Sequence, residues 1–228
     1  GCLHRVRDQP RTPARGTEEV RETCRPVSTH SPLPRSFYAR PVITVARQLL
    51  GKVLVRRSGR TVMSGMIVEV EAYNGADDPA SHAFRGPTQR NQVMFLEGGV
   101  LYVYFTYGMH FCANIVTGHE GRGSAVLLRA LEPCDGVSAM ARHRSRPASE
   151  RAELLSGPAK LCQAMKIGRD DNGTDLCGDR IWIEDRSLTV ASRSIIASPR
   201  IGITRGKEKP WRFCVEGSRF LSRPAGGS

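Results

Sequence analysis

Between Met63 and Tyr73 the chain alternates with period two, setting Met66, Val68, Val70 and Ala72 on one side and Ile67, Glu69, Glu71 and Tyr73 on the other. Side chains of an extended strand point to opposite faces in turn, so the pattern predicts a strand and excludes a helix. One face packs, and the other offers two carboxylates and a phenol. A glutamate on a strand able to bury its face is costly unless it is ion-paired or used chemically. Two readings stay open: Glu69 and Glu71 pair with arginines, or Glu71 is kept for a reaction. The strand pattern alone favours the first, because structural ion-pair networks produce the same signal.

A second β signal runs from Val100 to Val116, two aromatic and β-branched runs broken at Gly108-Met109. Glycine at the first central position suits a two-residue turn and puts Tyr107 at the tip. A regular turn places Tyr107, His110, Cys112 and Asn114 on one face and Tyr102 and Tyr104 on the other, whereas a bulge would reverse part of this. Thr44 reads as the N-cap of a short helix ending at Gly51, with Val45, Ala46, Leu49 and Leu50 at helical spacing. Further strands are expected at 52–57, 124–131, 180–184 and 211–216, and helices at about 135–144, 148–155 and 158–167.

The 228 residues suffice for one domain. Residues 1–35 hold five prolines and seven arginines against four acids with almost no apolar periodicity, and read as a disordered basic arm. The folded domain is expected over 36–221, with a flexible tail at 222–228. The net charge is +12, and outside the arm the chain keeps 27 basic against 18 acidic residues. That excess implies an acidic partner, most commonly nucleic acid. There is no apolar run long enough for a membrane helix and no secretory leader, so the expectation is a soluble, intracellular protein, and a monomer is expected. Seven cysteines without a Cys-x-x-Cys pair fit neither a disulfide framework nor a zinc knuckle. They read as reduced structural thiols, and no metal is expected at His110 and Cys112. The stretch Asp170-Asp171-Asn172-Gly173 reads as a turn, since Gly168 stands where a calcium loop needs its first acid.

Hydrolysis at a sugar carbon needs a carboxylate that orients water toward an oxocarbenium-like centre, and Glu71 is the candidate. A base inside a duplex must be taken out of the stack, held between flat side chains and replaced in the helix. Tyr73 and Tyr104 supply walls, His82 an edge donor, and Tyr107 a wedge. Arg85, Arg90 and Asn91 lie in a loop suited to backbone contacts. At Gly157-Pro158-Ala159-Lys160 a helix start and a lysine offer a phosphate site, although an ordinary helix start explains the spacing equally well.

The ordered motifs Leu49-Leu-Gly51, Ile67-Val-Glu-Val-Glu-Ala-Tyr73, the His82–Asn91 loop, Met94-Phe95, Tyr102-Val-Tyr104, Tyr107-Gly-Met109, Asn114, Leu127-Leu-Arg-Ala-Leu-Glu-Pro133, Ser156-Gly-Pro-Ala-Lys-Leu-Cys162 and Lys209-Pro-Trp-Arg-Phe213 resemble the alkyladenine (3-methyladenine) DNA glycosylases of the N-methylpurine type. The resemblance covers about Ser36 to Phe213. It implies an α+β fold: a single compact mixed domain with a curved antiparallel sheet, surrounding helices and a protruding hairpin, using no metal and no organic cofactor.

It implies a monofunctional glycosylase of base excision repair acting on double-stranded DNA that holds damaged purines such as 3-methyladenine, 7-methylguanine, hypoxanthine or ethenoadenine. Glu71 becomes the general base, and Tyr73, His82 and Tyr104 line the base pocket. Asn114 excludes normal guanine, and Tyr107 enters the minor groove. Arg129 lies near the carboxylate and the DNA backbone, with Arg85, Arg90, Met109, Gly157 and Lys160 also on the backbone. Gln89, where proline is common, a shorter loop after His82, and His110 in place of tyrosine depart from the mammalian pattern. Two other readings are a glycosylase with lyase activity, for which Lys160 is the available amine, and a basic DNA-binding module without catalysis.

Overall fold

The computed structural model describes residues 30–106 and 108–225. Helices α1 (Arg35–Tyr38) and α2 (Val42–Leu49) precede strands β1 (Val53–Ser58), β2 (Thr61–Asn74), β3 (Leu101–Thr106), β4 (His110–Thr117) and β5 (Ser124–Pro133). Helices α3 (Val137–Arg144), α4 (Arg151–Leu154) and α5 (Pro158–Met165) follow, and then β6 (Ile181–Glu184), β7 (Ile195–Ser198) and β8 (Arg212–Val215). All pairings are antiparallel in one sheet ordered β3-β4-β5-β2-β1-β6, with β8 also on β2 and β7 outside β8. The fold is α+β, as expected. No helix is long and apolar enough to cross a membrane among the described residues.

Val42, Val45, Ala46 and Leu49 repeat at i, i+3, i+4 and i+7, so α2 lays one apolar stripe on the sheet. It begins at Val42 behind Pro41, not behind Thr44, which is an exposed interior residue of the helix. The apolar period, rather than the nearest capping residue, fixes the start. With α3 and α5, this helix covers the sheet face carrying Leu54, Ile67, Val70, Leu101, Ala113, Ile115 and Leu128, all buried. Gly51 ends the segment at φ +86°, where an added Cβ would meet the Leu188 carbonyl oxygen at 2.6 Å.

The alternation in β2 is not continuous. Register shifts fall between Ile67 and Glu69 and between Glu69 and Val70, so Val68 on β2 and Arg129 on β5 are skipped in the pairing. An extra residue reverses which side later residues face. Met66 and Val68 therefore pack with Val53, Val55 and Trp182, whereas Val70 and Ala72 join Ile67 in the main core. The single face expected for Met66, Val68, Val70 and Ala72 is split.

The hairpin differs in the same way. Thr106 pairs with His110, so three residues join β3 to β4 instead of two, with Gly108 at φ +69°. Tyr102 thus stands opposite Asn114 and Tyr104 opposite Cys112, on a shared face. Tyr107 lies outside the described residues.

Residues 1–29 of the expected arm and 226–228 of the expected tail also lie outside the described residues. The described ends of both segments are fastened. The Leu33 N–H donates to the Ile183 carbonyl at 2.7 Å, and Ser222 is bonded to Glu69. Cys112, Cys162, Cys177 and Cys214 are free thiols, whereas Cys134, expected to be reduced, is disulfide-bonded.

Gly51→Ala is expected to cost about 1–3 kcal/mol, because it adds left-handed strain to a backbone clash. Urea denaturation measures it, and an unchanged midpoint would contradict the packing described.

Candidate active site

With helices on one face, the other face of β2, β3, β4 and β5 carries polar and aromatic groups. Tyr102 and Tyr104 from β3, Cys112 and Asn114 from β4, Leu127 and Arg129 from β5 and Tyr73 from β2 line a cavity of about 490 Å³. Its rim is made by two loops, one bearing Pro79, His82 and Arg90, the other running from Ile201 to Arg205. Buried Asp78 and Arg200 tie the loops together. Asp78 Oδ1 accepts from Arg200 Nη2 at 2.8 Å, its second oxygen accepts from Nη1, and Nη1 also donates to the Ala72 carbonyl. The Arg200 guanidinium lies 4.6 Å over the Tyr73 ring.

Three rings meet at the cavity, with Tyr102 buried and His82 at the exposed rim. His82 stands edge-on to Tyr104 at 4.5 Å, Tyr102 lies 5.6 Å from Tyr104, and His82 Nδ1 is 3.3 Å from the Tyr102 hydroxyl. Burial pushes the Tyr102 phenol up to about 12. Tyr104 and Tyr73 rise further, chiefly by burial and then by neighbouring Cys112 and Glu71 respectively, so both stay protonated donors. Desolvation, then the Arg90 cation, lowers the His82 pKa and favours the neutral ring.

Glu71 has no exposed surface and stands behind the cavity wall, bonded through groups at its edge. The Tyr73 hydroxyl donates to Oε2 at 2.8 Å, the Ile201 N–H donates to Oε1 at 2.7 Å, and Arg129 Nη1 lies 3.2 Å from Oε1. Arg129 also gives Nε to Glu69 Oε1 at 2.8 Å, and Arg212 Nε reaches the same oxygen at 2.8 Å. Two buried carboxylates and two buried guanidiniums form one charge-balanced group. Of the two sequence readings of the acids, the ion pairing is what the geometry shows, with Glu71 placed directly behind the cavity wall.

Of the expected site residues, Glu71, Tyr73, His82, Tyr104, Asn114 and Arg129 come together here, joined by Arg90. Asn114 Nδ2 donates to the Tyr102 carbonyl, which fixes the amide in the wall. Arg129 is bonded to Glu69, Glu71 and Ser222, beside the carboxylate as expected. Lys160 is paired with Glu153 at 2.7 Å, and the Gly157 N–H donates to the Leu155 carbonyl at 3.1 Å. Arg85 is exposed beside the cavity, and Met109 is 69% exposed on the hairpin. Asn91 is structural, its amide bonded to the His82 and Gly86 carbonyls.

Asp78, Arg200, Ile201 and Ser222 had no sequence signal, since each acts through a partner more than 120 residues away, and Arg212 stood in the Lys209–Phe213 motif without a role of its own. Among the described residues, no group of three or more His, Cys, Asp or Glu could hold a metal ion.

A sequence model of the methylpurine-DNA glycosylase family matches residues 36–219. The chain belongs to this family. It is therefore a DNA glycosylase, a hydrolase acting on N-glycosyl bonds. A Carboxydothermus hydrogenoformans protein named "Putative 3-methyladenine DNA glycosylase" is 50% identical over 191 residues, 84% of this chain and 98% of that one. A Burkholderia lata protein of the same name is 48% identical over 195 residues, 84% and 91% of the two chains. The family match spans all eight strands and both loops that rim the cavity.

Burial alone would raise the carboxyl pKa of Glu69 and Asp78, but hydrogen bonds and their arginines hold both below the usual range. A depressed folded-state pKa stabilises above the unfolded value and is lost as pH falls through the folded one. Stability should therefore drop as pH is lowered beneath the ordinary carboxylate range. Asp78→Asn should cost about 3–5 kcal/mol at neutral pH, by stranding buried Arg200, and should flatten that acid slope. Urea midpoints from pH 7 to pH 3 measure both, and a variant with the parent's slope would refute the assignment.

Proposed function

We propose that the protein removes damaged purines from double-stranded DNA as a monofunctional glycosylase, leaving an abasic site in base excision repair. The observation that carries this reading is the Glu71 carboxylate, bonded at 2.8 Å by a tyrosine that lines a cavity of about 490 Å³ with His82 and Tyr104. In this reading the flipped base stacks among Tyr73, His82 and Tyr104, and the Asn114 amide opposes the exocyclic amine of normal guanine. Water approaches Glu71 between Tyr73, Arg129 and Ile201. The water oxygen bonds to C1′ as Glu71 takes its proton, and the C1′–N electron pair leaves with the purine.

A cationic N-alkylpurine is neutralised by that electron pair and gains from electron-rich rings. A His82 kept neutral adds no repulsive charge. Neutral lesions such as hypoxanthine need protonation to leave, so leaving-group chemistry and pocket fit both set the order of substrates.

The wedge is proposed to be Tyr107, from its place in the sequence between β3 and β4. Exposed Arg85 and Met109 and the cavity-rim Arg90 are proposed to meet the DNA near it, in keeping with the basic charge. The proposed site of action is the intracellular compartment that holds the DNA. Lyase chemistry is disfavoured, since Lys160 is engaged by Glu153 and Ser156 and does not line the cavity.

Glu71→Gln should slow single-turnover release of 3-methyladenine or hypoxanthine by at least about 10²-fold while leaving duplex affinity intact. Near-normal release would refute the assignment. Tyr107→Ser should weaken binding to lesion-bearing duplex in a fluorescence-anisotropy titration. An unchanged Kd would remove the wedge.

A further inference from the structure

Glu69 and Glu71 share one arginine unequally. Glu69 Oε1 accepts Arg129 Nε at 2.8 Å, the Ser222 hydroxyl at 2.7 Å and Arg212 Nε at 2.8 Å, and Glu69 Oε2 accepts the Ser222 N–H at 2.6 Å. Glu71 receives Arg129 only at 3.2 Å through Nη1. The remaining end of the guanidinium, Nη2, donates to the Ser222 hydroxyl at 3.1 Å. Ser222 thus grips Arg129 directly and through Glu69. The segment beyond it is held too, since Arg212 donates to the carbonyls of Arg223 and Pro224.

We infer that Glu69 and the strap at Ser222 are positioning residues for the glycosidic reaction: they hold Arg129 at the cavity wall, facing Glu71 without collapsing onto it. This rests on the catalytic reading of Glu71 proposed above and extends it to a C-terminal segment that does not itself line the cavity. A guanidinium freed from Glu69 would close a full ion pair with Glu71, spending the lone pairs that the attacking water needs. One that swung away would leave Glu71 buried with no cation beside it. Glu69 holds the middle course because it takes Nε, the atom that sets the plane of the guanidinium. Glutamine cannot replace it, because its one carbonyl oxygen would leave an NH₂ facing either the Ser222 N–H or the arginines.

The test is a double-mutant cycle between Ser222→Ala and Arg129→Lys, read by single-turnover base release from an alkylated duplex, with duplex affinity measured alongside. Ser222→Ala removes one hydroxyl from a solvent-facing segment, so the protein should fold. It is expected to slow release about tenfold, the value of one charge-assisted hydrogen bond, with Kd unchanged. In the Arg129→Lys background the same change should produce no further loss, because its effect passes through the guanidinium. An unchanged rate, or a loss that simply adds to that of Arg129→Lys, would overturn the inference. Glu71→Gln run in parallel separates the two levels. Normal release by that variant overturns the catalytic reading itself, whereas abolished release together with an inert Ser222→Ala overturns only the strap.

Discussion

One arginine held between two buried carboxylates is the constraint from which the active side of this protein is built. Isolated ions in an apolar interior are prohibitively costly, and the cost is offset only by close pairing with further hydrogen bonds. Here Glu69, Glu71, Arg129 and Arg212 sum to zero charge, and every oxygen of the two acids has a donor. The group can close only when β2, β5 and β8 lie side by side, so the sheet order and the ion cluster require one another. Two offset irregularities in the β2–β5 ladder turn Arg129 toward the acids, at the expense of the regular alternation on both strands.

Division of labour between the two sheet faces follows from that cluster. The helical face is apolar and uninterrupted, giving a rigid floor. The opposite face cannot be closed by apolar packing because charged groups stand on it, and the loops at 75–98 and 199–206 arch over it, joined by Asp78 and Arg200. What remains between loops and sheet is a cavity with aromatic walls and a carboxylate behind them. Membership of the methylpurine-DNA glycosylase family gives the bond that the chain hydrolyses, and the proposal that this cavity receives the base rests on its aromatic walls and on a His82 whose pKa is lowered.

Much of this was legible in the sequence. Strands over 53–58, 124–133, 181–184 and 212–215 and the helix at 158–165 follow directly from periodicity, and Glu71, Tyr73, His82, Tyr104 and Asn114 were picked out by residue type and motif order. What periodicity could not supply was parity. One extra residue near position 68 and one more in the hairpin loop reversed the facing of Val70 and Ala72 and brought Tyr102 and Tyr104 round to Asn114. The short strand β7 had too little apolar alternation to stand out. Partners such as Arg200 and Ser222 were invisible because their significance lies in contacts across more than 100 residues.

The central claim is that the Glu71 carboxylate, held by Tyr73 and Arg129, faces the anomeric carbon of an extruded nucleotide. A crystal structure with a duplex bearing a pyrrolidine abasic nucleotide, whose ring nitrogen mimics the positive charge at C1′, tests it most directly. The account predicts one ordered water bridging that nitrogen and Glu71, each contact at about 2.6–3.2 Å. A different acid nearest the nitrogen, or Glu71 still walled off from it by Tyr73 and Arg129, would contradict it.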